Sequence, residues 1–501
     1  MRQSMWIFLC IVFISFLSRF FLLDSLPLSF QDEEAAWGVQ ANSVLQTGKD
    51  IFGQSFPIFW RLPESIHLPM YGYLTSISVA LFGLNEFAVR LPAAFFSALT
   101  PLVLFFLLRR VFKNIKIAIF SAAFLALSPW HIPLSRWGNE SALLVFLLTL
   151  GLERFFGDTE KKKFPWWTVL CFAFGLLTDM TAFLLVPLIA FSLVAIVKTS
   201  KIFRPWITAS VALGIFSIFL FLLEPSLRQQ TFEQSIFYEA QVSPFWGIWI
   251  FFRNLFSILS FQFLFFHGDE RLIHGMNDIG LLFLGSLPIV LIGIFILYAK
   301  FRAQASILFL LLIGSAGVSA LSRFVPDART FLFGVIPLSA FFGLGFASII
   351  DWSKRVWWRR TLVFCTILIF GYNVLLAGHL YFGHYSKDAA SQTQAVYKPM
   401  WAFIDQHMET YDHIVLSGRT QSNVYMHGLF FLKIDPGHFQ TSGSKHGFDN
   451  FIFGDLSTER IPGRRILLIA EPDFIPGQGE EVAAFSLANG NNAFIAWDIQ
   501  K

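Results

Sequence analysis

The sequence predicts an all-α polytopic membrane domain, with about eleven transmembrane helices and further interfacial helices in its outer loops, followed by a small α/β extracytoplasmic domain. Three observations lead there. Of 501 residues, 55% are apolar, 14% are charged and 63 are phenylalanine. Mean hydropathy is +0.60, and charge-poor apolar runs about as long as a bilayer is thick recur from Trp6 to Tyr381. From Tyr385 to Lys501 the chain instead carries 13 acidic and 9 basic residues, against 20 and 28 before it. Residues 1–384 therefore read as the membrane domain and 385–501 as a soluble one. Multidomain soluble, disordered, collagen-like and disulfide-stapled proteins are excluded. The three cysteines, Cys10, Cys171 and Cys365, sit inside apolar runs and read as small buried hydrophobes.

Taken in order, Met1-Arg2 and the apolar run from Ser4 to Leu23 read as an uncleaved first helix, because the run is too long for a signal-peptide core and no small-residue cleavage site follows. Basic residues cluster at Arg109 to Lys116, Arg154 to Lys163, Lys198 to Arg204, Lys300 and Arg302, and Lys354 to Arg360, which makes these loops and the N-terminus cytoplasmic. Asp24, Asp32, Glu33, Glu34, Asp50 and Glu64 place the first long loop outside. Only an odd number of crossings can separate that loop from the Arg109 cluster, so Leu68 to Gly83 reads as interfacial or re-entrant. The same parity lays Phe245 to Phe266 along the membrane face, buried in protein. The crossings are then about 4–23, 88–108, 117–134, 141–157, 165–180, 182–197, 205–223, 279–299, 304–321, 330–350 and 358–380, with the C-terminus outside. Beyond them, strand-like runs fall at His413 to Leu416, Val424 to Ile434, Ile466 to Ala470 and Ala493 to Ile499, after a helix from Lys398 to Met408.

Four groups of residues could carry chemistry. Asp32-Glu33-Glu34 precedes a helical pattern, Ala35 to Leu45; it reads as a helix cap, and equally as a half-shielded carboxylate able to take a proton from a hydroxyl. Glu140 and Arg136 lie close to a helix start at the membrane boundary, where such charges are costly unless paired or lining a cavity. Asn139-Glu140-Ser141 matches a glycosylation sequon by chance. His267-Gly268-Asp269-Glu270-Arg271, with His274 and Asp278, could hold a metal, but the spacing matches no standard ligand pattern and reads more simply as a solvated loop. Arg61, Arg253, Arg323 and Arg329 are guanidinium groups suited to a phosphate.

The order of several motifs resembles the polytopic GT-C glycosyltransferases of the protein O-mannosyltransferase and aminoarabinose transferase type, in their bacterial, family-39-like branch. The stretches are Asp32-Glu33-Glu34-Ala35-Ala36-Trp37-Gly38 through Gly53, His67-Leu68-Pro69-Met70-Tyr71-Gly72-Tyr73-Leu74, Phe82 through Arg90-Leu91-Pro92, Ser128-Pro129-Trp130-His131 with Ser135-Arg136, and Phe263-Leu264-Phe265 with Gly268-Asp269. The resemblance spans roughly the first 380 residues and lies in their joint order. It implies an inverting transfer of a sugar from a polyprenyl-phosphate donor to a protein, lipid or glycan hydroxyl on the outer face. It also implies that Asp32 or Glu33 is the catalytic base and Glu140 a second catalytic acid, and that Glu34, His67, Tyr71, Arg136, His267, Asp269 and Arg329 bind substrate. Three acids stand where an Asp-Glu pair is usual, and Leu68 interrupts the double proline usual after His67. A lipid phosphate is already a leaving group, so no nucleotide-binding fold is needed, and no Gly-rich fingerprint follows a strand. Membrane lipids are expected partners and nucleic acid is not. No cofactor motif stands out, with a divalent metal as the open alternative. The competing function is a polytopic transporter or flippase of lipid-linked substrates, against which stand the charged outer loops and span centres almost free of ionisable groups, Asp179 being the main exception.

Overall fold

In a computed structural model, the protein is described over residues 2–501 except 64, 199, 240–243, 277, 353–354, 391, 393, 418–422 and 455–460; Glu64 and Lys354 thus lie outside the described residues. The chain packs as two compact units. One comprises the residues up to Phe21, Ile66–Tyr71 and Pro92–Tyr381; the other comprises Leu22–Ser65, Gly72–Leu91 and Phe382–Lys501.

The first unit is helical, as lipid demands, because a helix satisfies its own backbone hydrogen bonds. Among the described residues six helices are long and apolar enough to cross a membrane: Glu86–Phe112, Phe203–Leu223, Phe245–Phe266, Arg302–Ala320, Leu332–Trp352 and Val356–His384. The chain is an integral membrane protein. Leu332–Trp352 is the most buried, with 83% of its apolar window inside the protein, whereas Val356–His384 buries 6% and leaves its sides exposed. Small residues make the centre close. A Cβ on Gly293 would collide with the backbone of Phe341, and one on Gly345 with that of Ile289, so helices Leu287–Lys300 and Val335–Trp352 touch backbone to backbone.

Several elements depart from the expectation. Phe245–Phe266 has the length and composition of a span; loop charge, not length, is what laid it along the membrane face. Pro69–Phe82 does not depart: expected as interfacial or re-entrant, it is a 14-residue helix, about 21 Å long and too short to cross. The run expected at 117–134 stops at Ala126 and resumes as the short helix His131–Ser135, because Ser128-Pro129 interrupts it. Cys171 is buried, but Cys10 and Cys365 are exposed. An apolar run in lipid has an apolar outer face as well as an inner one, so apolarity does not imply burial in protein.

In the second unit, six strands form one sheet among the described residues, in the order 447–448, 451–454, 413–417, 465–470, 492–500, 480–486. His413–Ser417 lies parallel to both Phe451–Gly454 and Arg465–Ala470; Asn492–Gln500 runs antiparallel to Arg465–Ala470 and to Glu480–Ser486. Val415, Ile466, Leu468 and Ile499 form one buried cluster of that sheet. Val424–Phe431, expected as a strand, is a helix whose residues are nearly all buried; a short segment buried on every side shows neither a helical nor a strand period. Its Gly428 rests against Trp401 of helix Tyr397–His407 so closely that a Cβ would meet the indole.

Candidate active site

Each unit gathers ionisable groups of its own. In the membrane unit the centre is Glu140, immediately before helix Ser141–Glu160. Its Oε1 accepts from Arg329 Nη2 at 2.8 Å and lies 3.1 Å from His67 Nδ1. The carboxylate is 5% exposed, and Oε2 has no hydrogen-bond partner among the described residues. Burial alone would raise the Glu140 carboxyl, but Arg329 and His67 outweigh it and hold the group down at about 2. It is therefore ionised at neutral pH.

Arg329 is itself fixed. Asp327 Oδ1 accepts its backbone N–H at 2.8 Å, and Asp269 Oδ2 accepts that of Ala328 at 2.7 Å. Trp130 Nε1 donates to Ala328 O at 2.9 Å and its ring stacks on Phe331, so the Ser128–Arg136 segment supports the same loop. Asp269, His274 and Asp327 converge, with Arg271 at their outer edge. Burial works against charge here, yet His274 is raised by its two carboxylate neighbours, and Asp327 is lowered by His274 and Arg271. Gly268 enters this loop at φ 67°, which glycine adopts without strain.

Other expected residues of this unit have visible structural duties. Arg136, fully buried, donates to Ser18 O and Phe21 O at 2.9 and 2.7 Å and caps the first helix. Tyr71 is completely buried, and His267 is exposed. Asp179 is spent on local bonds: Oδ2 accepts from Ser141 Oγ at 2.6 Å, and Oδ1 from the Thr181 amide and hydroxyl.

In the other unit, helix Asp32–Thr47 begins after Gln31, whose backbone N–H is accepted by Glu34 Oε2 at 3.2 Å, so Glu34 closes the first turn. Glu34 is also gripped by Arg90, Nε to Oε1 at 2.8 Å and Nη2 to Oε2 at 3.2 Å, while Arg90 reaches the carbonyls of Leu23, Pro27 and Ser29. That leaves Asp32 and Glu33 as the partly exposed acids. Asp32 Oδ1 lies 2.9 Å from His427 Nε2, and its amide donates to Gln394 Oε1 at 2.6 Å. His427 is fully buried and stacked on Tyr397 at 4.6 Å. Burial, then Asp32 and Glu471, push the Tyr397 hydroxyl up.

Sequence reasoning passed over Asp327 and His427. Neither stands in a motif, and each meets its partner only through the fold. Of the outer arginines, Arg323 lies over the Tyr238 and Phe324 rings, Arg253 bonds Asn254, and Arg329 pairs with the Glu140 carboxylate.

The chain superposes with ArnT from Cupriavidus metallidurans, solved bound to undecaprenyl phosphate, at a TM-score of 0.58 and 14% identity, over 99% of this chain and 98% of that one. It also matches the oligosaccharyltransferase of Archaeoglobus fulgidus at a TM-score of 0.54 and 12% identity, over 85% of this chain, and spans 64% of that protein's length. The same enzyme, AglB, has been solved with an inhibitory peptide and a dolichol-phosphate, and matches at a TM-score of 0.55 and 11% identity, over 93% of this chain and 69% of that one. At these identities the likeness is one of fold. The family described as dolichyl-phosphate-mannose-protein mannosyltransferase matches residues 66–223 directly. Over residues 66–223 the chain is thus similar to that mannosyltransferase family, and over nearly its whole length it shares the fold of these membrane glycosyltransferases.

Proposed function

We propose that the protein moves a hexosyl or pentosyl unit from a polyprenyl-phosphate-linked donor to a hydroxyl of a protein, lipid or glycan acceptor on the outer face of the membrane, with inversion. The observation that carries the reading is Glu140: a buried, ionised carboxylate with a guanidinium and an imidazole on one oxygen and, among the described residues, no hydrogen-bond partner on the other, inside the segment that matches the mannosyltransferase family. The relatives solved with undecaprenyl phosphate and dolichol-phosphate support a lipid-phosphate donor.

In the proposed reaction the acceptor oxygen forms a bond to the anomeric carbon from the face opposite the phosphate. Its proton passes to Asp32 or Glu33, and the carbon–oxygen bond to the phosphate breaks with the electron pair leaving on the phosphate. Arg329 supplies positive charge and His67 a ring N–H for that phosphate, and Glu140 holds both in place while its second oxygen accepts a donor or acceptor hydroxyl. Glu34 and Arg136 serve as supports, while Tyr71, His267 and Asp269 belong to the substrate-binding set. Eleven crossings, a cytoplasmic N-terminus and an outer C-terminal domain of residues 385–501 complete the topology, with residues 1–384 as the transferase domain.

The test is reconstitution in liposomes with polyprenyl-phosphate-linked sugars. Free polyprenyl phosphate should accumulate in step with glycosylated acceptor. Movement of intact donor across the bilayer with no bond broken would identify a flippase instead.

A further inference from the structure

Asp269, His274 and Asp327 each offer one ligand-type atom, and these atoms all lie within 4.8 Å of one another. His274, 9% exposed, points Nδ1 between the two carboxylates, 3.4 Å from Asp269 Oδ2 and 3.4 Å from Asp327 Oδ1, and that nitrogen has no hydrogen-bond partner of good geometry among the described residues. A charge-assisted N–H to carboxylate bond is shorter, about 2.7–2.9 Å. The observed separation instead matches the edge of a tetrahedron around a cation with bonds of about 2.0–2.1 Å, which is about 3.3–3.4 Å.

The surroundings fit the same reading. Arg271 engages the outer oxygens, Nη2 to Asp327 Oδ2 at 3.0 Å and Nε to Asp269 Oδ1 at 3.4 Å, and so orients both carboxylates without occupying the atoms that face His274. Asp269 Oδ2 accepts one short amide bond, from Ala328, and Asp327 Oδ1 accepts one, from Arg329. The next donor to Asp327 Oδ1, the Thr330 amide, stands at 3.4 Å. Asp269 Oδ2 therefore keeps a lone pair, and Asp327 Oδ1 gives up its second only to this longer contact. Two carboxylates against one guanidinium leave the cluster one negative charge in excess when His274 is neutral.

We propose that Asp269, His274 and Asp327 bind one divalent transition-metal cation of the Zn²⁺ type, which fastens the Asp269–His274 loop to the Asp327–Thr330 loop. The metal's effect on transfer, through the Arg329 that this second loop carries, rests on the function proposed above. Binding itself does not.

The experiment is equilibrium dialysis of chelator-stripped, tag-free protein in detergent against Zn²⁺, with metal measured by mass spectrometry and Co²⁺ substituted as a spectroscopic probe. One tight equivalent is expected in the wild type and in the surface control His446→Ala. His274→Ala and Asp327→Asn should bind roughly a hundredfold more weakly or worse. The variant His274→Cys should bind Co²⁺ with a thiolate-to-metal charge-transfer band, which only direct coordination produces. Wild type that binds no more than the two ligand variants, or a His274→Cys complex without that band, overturns the proposal. A protein that binds the metal yet transfers no sugar leaves the site standing and removes the functional reading.

Discussion

Replacing Glu140 with glutamine isolates a charge. The side chain keeps its volume and one acceptor for Arg329, so packing is preserved, while the negative charge facing Arg329 at 2.8 Å and His67 at 3.1 Å is lost. Removing one partner of a fully buried ion pair costs about 3–5 kcal/mol. Arg329 is 24% exposed and regains some hydration, and the amide retains a hydrogen bond, so the expected loss is roughly 1–3 kcal/mol at neutral pH. Its pH dependence has a definite sign. The Glu140 carboxyl is held at about 2 against an ordinary 4.5, so the charge stabilises the folded state fully above about pH 4.5, and that contribution is lost as pH falls toward 2. Thermal midpoints of wild type and Glu140→Gln in one detergent, measured from pH 7 downward, should therefore be separated at neutral pH and converge across that window. Equal midpoints at pH 7, or a gap that does not narrow on acidification, would refute the assignment of an ionised, ion-paired Glu140.

Other outcomes follow from the same coordinates. Arg90→Ala takes the guanidinium away from the buried Glu34 carboxylate and from three backbone carbonyls, and should destabilise by about 3–5 kcal/mol in denaturant titrations, whereas Glu33→Gln should change stability by less than about 1 kcal/mol. Gly345→Ala drives a methyl into the Ile289 backbone, so the yield of folded protein after size-exclusion chromatography should collapse, while Gly371→Ala, where nothing lies within 4 Å, should be silent. Val424→Pro, at the start of a helix, should be tolerated, and Gly428→Val should not, because Trp401 occupies the space; circular dichroism and melting report both.

Much of the architecture is legible in the sequence because lipid restricts the choice: apolar runs must be helices. The helix after Asp32-Glu33-Glu34 and the strands near 413, 466 and 493 follow from local patterns of that kind. What pairs with them does not. Arg329 stands 189 residues from Glu140, and His427 is 395 residues from Asp32. No local period encodes such a distance, and an isolated His in an apolar run looks like a core residue. The helix Val424–Phe431 misleads for a related reason, since burial on all sides erases the amphipathic signal. His274 and Asp269 were visible as a loop cluster, but the third converging atom comes from Asp327, after an intervening helical hairpin.

The central claim is that an acid of the Asp32-Glu33 pair accepts the proton of the attacking hydroxyl. It is tested most directly by single-turnover transfer from a polyprenyl-phosphate sugar in Asp32→Asn and Glu33→Gln, each shown to melt like wild type. General-base assistance is worth about a hundredfold to ten-thousandfold. One of the two variants should fall by at least roughly a hundredfold with donor affinity retained; near-normal rates in both would contradict the account.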